Sequence, residues 1–135
     1  MSTEENKALV RRFIEEAYNK RNLAVVDELV ASNHAWLGEF VRKVQGDWPD
    51  LRISVEDQVA EGDKVVTRWT ARATHTLPVI TAYGSMAPTN KQIAVPGISV
   101  DRIEGGKIVE TWSNGDTLSE YQQLGAIPTP AQATD

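Results

Sequence analysis

The sequence contains no cysteine and only two histidines, His34 and His75. The missing thiols exclude disulfides, thiol catalysis and thiolate metal sites. Two histidines are too few for a zinc or iron centre unless carboxylates complete the ligand set. We therefore predict a protein without a metal site.

Long apolar runs and an excess of positive charge are also missing. No run approaches the length of a membrane span, and the polar start Met-Ser-Thr-Glu-Glu-Asn-Lys does not resemble a signal peptide. With 14 basic and 19 acidic residues the net charge is −5, so no basic stripe can offset nucleic-acid phosphates. The motifs of P-loop, Rossmann, GxSxG and HExxH enzymes are absent as well. We expect a cytoplasmic protein that binds neither membranes nor nucleic acids.

The chain has the length and composition of one globular domain. Its 135 residues are 41% hydrophobic and 24% charged, and four are tryptophans, which predict aromatic walls in a core or around a ligand. We place the domain at residues 1–125 and a flexible tail at 126–135.

Hydrophobic spacing changes from helical to alternating at Leu51, which predicts an α+β fold. Three helices come first, at about Thr3–Lys20, after Asn22, and at Ala35–Asp47. Four strands follow, at about Leu51–Val59, Lys64–Thr76, Lys91–Ile103 and Lys107–Asn114, and then a short helix at Thr117–Leu124. The segment Leu77–Asn90 is predicted to be a long loop, of a length that is often functional.

The most informative carboxylate is Asp116, which lies where the last strand ends and a helix begins. Ile108, Trp112, Asn114 and Asp116 share one parity, so an aromatic, an amide and an acid would point to one side of the sheet. If that side lines a pocket, Asp116 is a partly desolvated proton-transfer group, with Asn114 as a donor. If it faces solvent, Asp116 only caps the following helix. One side chain can do both.

The remaining polar candidates each allow a structural reading. His75 ends a strand with apolar same-parity neighbours, and it either bonds to the backbone or stands at the pocket rim as partner of Asp116. His34 is interpreted as a surface residue at a helix start. Asp101, like Glu104 and Glu110, is interpreted as a solvated or strand-edge charge, and Arg68 and Arg72 are assigned to the outer face of the sheet.

Several short segments of the sequence together resemble those of a known family. They include Trp48-Pro49-Asp50-Leu51, Gly62-Asp63-Lys64-Val65-Val66, Arg102-Ile103-Glu104-Gly105-Gly106-Lys107-Ile108-Val109-Glu110, Asp116 and Gln122-Gln123-Leu124-Gly125. Over about Asn6 to Gly125 the chain resembles the SnoaL-like polyketide cyclases, in the nuclear-transport-factor-like (cystatin-like) superfamily.

The resemblance implies a conical barrel, in which a strongly bent antiparallel sheet wraps around the N-terminal helices and encloses an apolar pocket. It implies aldol-type ring closure without a cofactor, with an aspartate at the position of Asp116 removing a proton α to a carbonyl. Pairing through the convex sheet, common in the family, implies a homodimer. Here Ala31-Ser32-Asn33-His34 runs almost directly into the third helix, so part of the pocket wall is absent, open, or supplied by His34 and Trp36.

Two functional hypotheses follow. The first is a cofactor-free lyase or isomerase that acts on an apolar carbonyl compound. Its catalytic residues are Asp116, His75 and Asn114, and its substrate contacts are Phe13, Trp36, Trp69, Tyr83, Ser99 and Trp112. The second is a non-catalytic small-molecule-binding or accessory protein of the same fold, in which Asp116 is only a cap. The short connection also leaves open an engineered or shortened variant.

Overall fold

The computed structural model describes residues 1–128, in which helices cover one face of an antiparallel sheet. The helices are α1 (Thr3–Arg12), α2 (Ala24–Leu29), α3 (Trp36–Asp47) and α4 (Thr117–Leu124). The strands are β1 (Arg52–Glu61), β2 (Lys64–Thr74), β3 (Val79–Thr81), β4 (Gly84–Met86), β5 (Gln92–Glu104) and β6 (Lys107–Gly115). The predicted α+β class is confirmed.

Four of the strands form the main sheet, in the order β1-β2-β5-β6 with antiparallel neighbours. The sheet is not closed, because β1 and β6 are both edge strands. It is therefore an open cone, rather than a closed barrel, and helices cover its inner face. The core lies between the two layers, where Ala17, Val41, Val65 and Ile108 are fully buried.

The first predicted helix has two different windings. Its start is as expected, because Ser2 and Glu5 form a capping box with two bonds of 3.1 Å. From Phe13 to Asn19 the helix widens into a π-helix. Residues five apart are about 140° apart around an α-helix, and the wider turn brings Phe13 and Tyr18 together, with ring centroids 5.5 Å apart in an edge-to-face contact. π-Helical turns are frequent at functional sites.

The end of this helix is held by two amide side chains. Gln45 is buried and donates to the carbonyls of Ala17 and Tyr18, at 2.7 and 3.1 Å. Asn19 donates to the Ile53 carbonyl and accepts from the Ile53 amide, at 2.8 and 2.7 Å. The bonds of Gln45 satisfy carbonyls that a helix end leaves free, and those of Asn19 satisfy backbone groups of the edge strand β1. Together they fix the π-helical segment against α3 and β1.

The connection between β2 and β5 is not the structureless loop that we predicted. Residues 79–86 contain the short hairpin of β3 and β4. The hairpin packs against α4, since the Ala82 amide donates to the Tyr121 hydroxyl at 3.1 Å and the ring centroids of Tyr83 and Tyr121 are 6.1 Å apart.

Residues 129–135 of the predicted tail lie outside the described part of the chain. Within residues 1–128, no helix is long and apolar enough to cross a bilayer.

Candidate active site

A β-bulge at Val109 decides which side chains of β6 face the helices. Arg102 pairs with Glu110 and Ile103 pairs with Ile108, so Val109 has no partner on β5. A bulge of one residue inverts the alternation of side chains beyond it. The predicted common face of Ile108, Trp112, Asn114 and Asp116 is therefore wrong.

The inversion turns the opposite set of β6 side chains inward. Thr111, Ser113 and Gly115 line a cavity between the sheet and the helices, whereas Trp112 and Asn114 do not line it. The bulge depends on pairing with β5, which the local sequence of β6 does not reveal.

The cavity has a volume of about 480 Å³, within the usual range of small-molecule sites. Most of its wall is apolar, and six aromatic side chains contribute to it: Phe13, Tyr18, Trp36, Phe40, Trp48 and Trp69. The two aromatic residues of α3 among them are about half exposed, so they lie at its mouth. Such a cavity fits a small and largely apolar ligand.

One wall of the cavity is polar. Ser99 and Asp101 of β5 lie opposite Ser113 and Thr111 of β6, and all four line the cavity. Asp101 is only 6% exposed and accepts a hydrogen bond of 2.7 Å from Thr111 Oγ1. Burial raises the pKa of Asp101 to about 6, and the bond from Thr111 offsets only part of the rise. The interpretation of Asp101 as a solvated charge is wrong.

His34 lies behind this acid. The bond from the Ala31 amide to the Ile108 carbonyl (3.0 Å) ties the chain after α2 to β6, and a 3₁₀ turn follows at Ser32–His34. The His34 ring is thereby buried, with Nε2 3.0 Å from Thr111 Oγ1. Burial lowers the pKa of His34, and the charge of Glu110 opposes that change. The predicted surface position of His34 is wrong, because the short connection packs against β6.

Trp69 supports the other half of the polar wall. Its Nε1 donates to Ser99 Oγ at 2.9 Å, and Ser99 Oγ is 2.9 Å from Ser113 Oγ. The indole lies over Gly97, where any Cβ would overlap the ring, and reaches within 3.3 Å of where a Cβ on Gly115 would stand. Two glycines facing each other across β5 and β6 therefore make room for this aromatic wall.

Asp116 lies outside the cavity. It is exposed, and its carboxylate accepts from the Ser119 amide at 2.9 Å, which is the bond of a helix N-cap. The geometry matches the second alternative from the sequence, and the role of Asp116 as a base stays a prediction that this position does not favour.

His75 does not meet Asp116. It is fully buried, its Nδ1 accepts from the Thr89 amide at 3.1 Å, and its ring is 5.7 Å from that of Trp48. Its Nε2 is buried without a hydrogen-bond partner in residues 1–128. His75 thus anchors the start of the β2–β5 connection by a hydrogen bond to the backbone, which is the first of the two interpretations that the sequence allowed.

Four of the six predicted substrate contacts line the cavity: Phe13, Trp36, Trp69 and Ser99. The other two do not, since Trp112 is turned outward by the bulge and Tyr83 is 70% exposed beside α4. Glu120 of α4 also lines the cavity, and burial raises its pKa.

One feature of the sequence indicates the inward position of Asp101, because this residue shares the parity of Val95 and Ile103, which are buried on β5. Within residues 1–128, no three acidic or histidine side chains cluster closely enough to hold a metal ion.

An open α+β cone with a buried acid on the wall of an aromatic cavity is the architecture of a class of proteins with a small-molecule site. Residues 8–124 match the model of the SnoaL-like polyketide cyclases, and the chain belongs to that family. No curated protein sequence matches it significantly.

Solved structures resemble the chain over nearly its whole length. TsrD from Streptomyces laurentii has a TM-score of 0.82 at 22% identity, with 94% of this chain and 99% of TsrD covered. IdmH from Streptomyces antibioticus, a candidate polyketide cyclase, has a TM-score of 0.77 at 27% identity, with 89% and 98% covered. A candidate polyketide cyclase of Acidithiobacillus ferrooxidans has a TM-score of 0.80 at 25% identity, with 95% and 100% covered.

Proposed function

We propose that this protein is a cofactor-free acid/base enzyme, a lyase or isomerase, that acts on a small apolar carbonyl compound. Asp101 is its catalytic acid/base, and the observation that carries the proposal is the burial of this carboxyl on the cavity wall. A general base works best when its pKa lies near the working pH, and burial raises the pKa of Asp101 to about 6.

The chemistry begins with proton removal from the carbon next to the carbonyl. The C–H bond breaks, its proton goes to the ionised Asp101, and its electron pair enters the enolate. In ring closure the enolate carbon attacks a second carbonyl of the same molecule, and the alkoxide that forms takes the proton from Asp101. In isomerisation the enolate takes that proton back at another carbon. In both cases Asp101 alternates between carboxylate and carboxylic acid.

The pair of Ser99 and Ser113 is suited to hold the enolate oxygen. Ser99 already accepts the N–H of Trp69, and the contact between the two hydroxyls uses one of their two hydrogens. Whichever serine donates, the pair keeps one O–H that no group in residues 1–128 accepts. Residues two apart on a strand are about 7 Å apart, so this donor stands one step along the wall from Asp101. Donors fixed in advance stabilise developing negative charge.

A test does not require the natural substrate. The elimination of 5-nitrobenzisoxazole is a one-step proton abstraction from carbon, and its coloured phenolate product can be followed by absorbance. We expect a protein-dependent rate that rises with pH through about 6, where Asp101 becomes ionised, and that is lost in Asp101→Asn. Asp116→Asn is the matched control and keeps the rate. The proposal fails if Asp101→Asn keeps the rate, and a rate that Asp116→Asn loses would assign the base to Asp116 instead.

The second candidate is a binding or accessory protein without catalysis, and the capping role of Asp116 favours it. Quenching of tryptophan fluorescence by the same compound measures binding, because three of the four tryptophans line the cavity. Binding without any protein-dependent rate supports this second function. A cytoplasmic location and a homodimer remain proposals, and the exposed Ile98 and Trp112 on the outer face of the sheet offer apolar area for pairing.

A further inference from the structure

One hydroxyl joins the buried acid to the buried histidine. Thr111 Oγ1 is 2.7 Å from Asp101 Oδ1 and 3.0 Å from His34 Nε2. Asp101 and His34 are each only 6% exposed. A threonine hydroxyl has one hydrogen and two lone pairs, so it can donate to one of these neighbours while it accepts from the other.

The same heavy-atom positions permit two arrangements of protons. When Asp101 is ionised, Thr111 donates to the carboxylate and accepts the N–H of His34 Nε2. When Asp101 carries a proton on Oδ1, it donates to Thr111, and Thr111 donates to His34 Nε2, whose own proton is then on Nδ1. Between the arrangements one proton crosses each of the two hydrogen bonds, and a third is exchanged with solvent at His34 Nδ1, so the second arrangement carries one proton more. No side chain has to turn.

We propose that Thr111 relays protons between Asp101 and His34, so that His34 connects the buried acid to solvent. This inference rests on the proposed function, since it gives Asp101 a route for proton exchange when a ligand fills the cavity. His34 and Thr111 are positioning residues, because neither has to touch the substrate.

The step balances in protons. The Oδ1 proton of Asp101 passes to Thr111 Oγ1 while the Thr111 proton passes to His34 Nε2, which leaves a carboxylate and an imidazolium. The imidazolium then releases its Nδ1 proton to water. In residues 1–128 the only side-chain nitrogen or oxygen atoms that are fully buried without a hydrogen-bond partner are Asn6 Oδ1 and His75 Nε2. His34 Nδ1 makes no hydrogen bond in these residues and is not one of those two atoms. It is therefore not fully buried and can exchange its proton with water.

Two other titratable groups face this chain of bonds. Tyr18 lies close enough to Asp101 that burial and the charge of the carboxylate both raise its pKa, so it stays protonated. Glu110 acts on His34, and its carboxylate is held by Arg102 Nε at 2.5 Å. Glu110→Gln is therefore the control that removes a competing cause of any change at His34.

The experiment is an NMR titration of the whole protein. The carboxyl ¹³C shift reports the charge of Asp101, and the ring ¹⁵N shifts report which nitrogen of His34 carries the proton. We expect the His34 proton to move from Nδ1 to Nε2 at the midpoint of the Asp101 titration, in the native protein and in Glu110→Gln. In Thr111→Val the Asp101 midpoint should rise, because the carboxylate loses its donor, and His34 should no longer follow it. Thr111→Ser should restore both.

A His34 tautomer that ignores the ionisation of Asp101 in the native protein would overturn the relay, whether or not the valine variant folds. So would a Thr111→Val protein in which His34 still follows Asp101. Neither result touches the role of Asp101 as a base, which stands or falls with the elimination rate of Asp101→Asn.

Discussion

Replacing Asp101 by asparagine should stabilise the protein, by an amount that grows between about pH 4 and pH 6 and is constant above that range. Burial raises the pKa of this carboxyl from 3.8 to about 6, so the folded protein binds the proton more tightly than the unfolded chain does. The stability that this preference contributes is fully present below 3.8 and is lost as the pH rises through about 6. An asparagine carries no charge at any of these pH values and loses nothing.

The expected magnitude follows from the same two pKa values. A pKa difference of one corresponds to about 1.4 kcal/mol, so the ionised Asp101 costs the folded state about 3 kcal/mol. The Thr111 hydroxyl can still donate to the amide oxygen of asparagine, which keeps that bond. We expect Asp101→Asn to raise the free energy of unfolding by about 2–3 kcal/mol at about pH 8, and to change it little at about pH 4.

Urea unfolding followed by tryptophan fluorescence measures both values. Asp116→Asn serves as the control, because asparagine caps a helix about as well as aspartate does and Asp116 is exposed. The reasoning is refuted if Asp101→Asn changes stability equally at the two pH values, or if it destabilises the protein at about pH 8. Either result would mean that the Asp101 carboxylate is solvated or paired in the folded state.

Three shorter predictions follow from the geometry. Asp116→Ala should cost about 1 kcal/mol in urea unfolding and leave the elimination rate unchanged, whereas a lost rate would restore Asp116 as the base. Gly97→Ala should displace the Trp69 indole and weaken binding of 5-nitrobenzisoxazole by about tenfold or more, since a loss of about 1.4 kcal/mol in binding free energy lowers the affinity tenfold. Fluorescence quenching measures this, and unchanged affinity would show that the indole is not a wall of the binding site. Trp112→Glu should convert the proposed homodimer to a monomer in sedimentation at micromolar concentration, and an unchanged sedimentation coefficient would place any interface elsewhere.

Local sequence patterns predicted the elements well, because they depend on neighbouring residues. The Ser2–Glu5 capping box, the turn at Gly105 and Gly106 and the switch to alternation after Leu51 each act within a few residues. The π-helical winding after Arg12 was not visible, since it depends on bonds that join this segment to Gln45 of α3 and to the backbone of Ile53 on β1. Non-local contacts of this kind carry no periodic signature.

The candidate site was predicted less well, and one unpaired residue accounts for the main error. Strict alternation along β6 places Trp112, Asn114 and Asp116 inside, but the bulge at Val109 turns them outward. The register of β5, which is regular over the residues that line the cavity, puts Asp101 inside instead. Alternation along a strand shows which side chains share a face only where the pairing is unbroken, and edge strands such as β6 are where bulges are most frequent. The parity of an internal strand is therefore the better guide to the acid in a cone of this kind, and on β5 that parity selects Asp101.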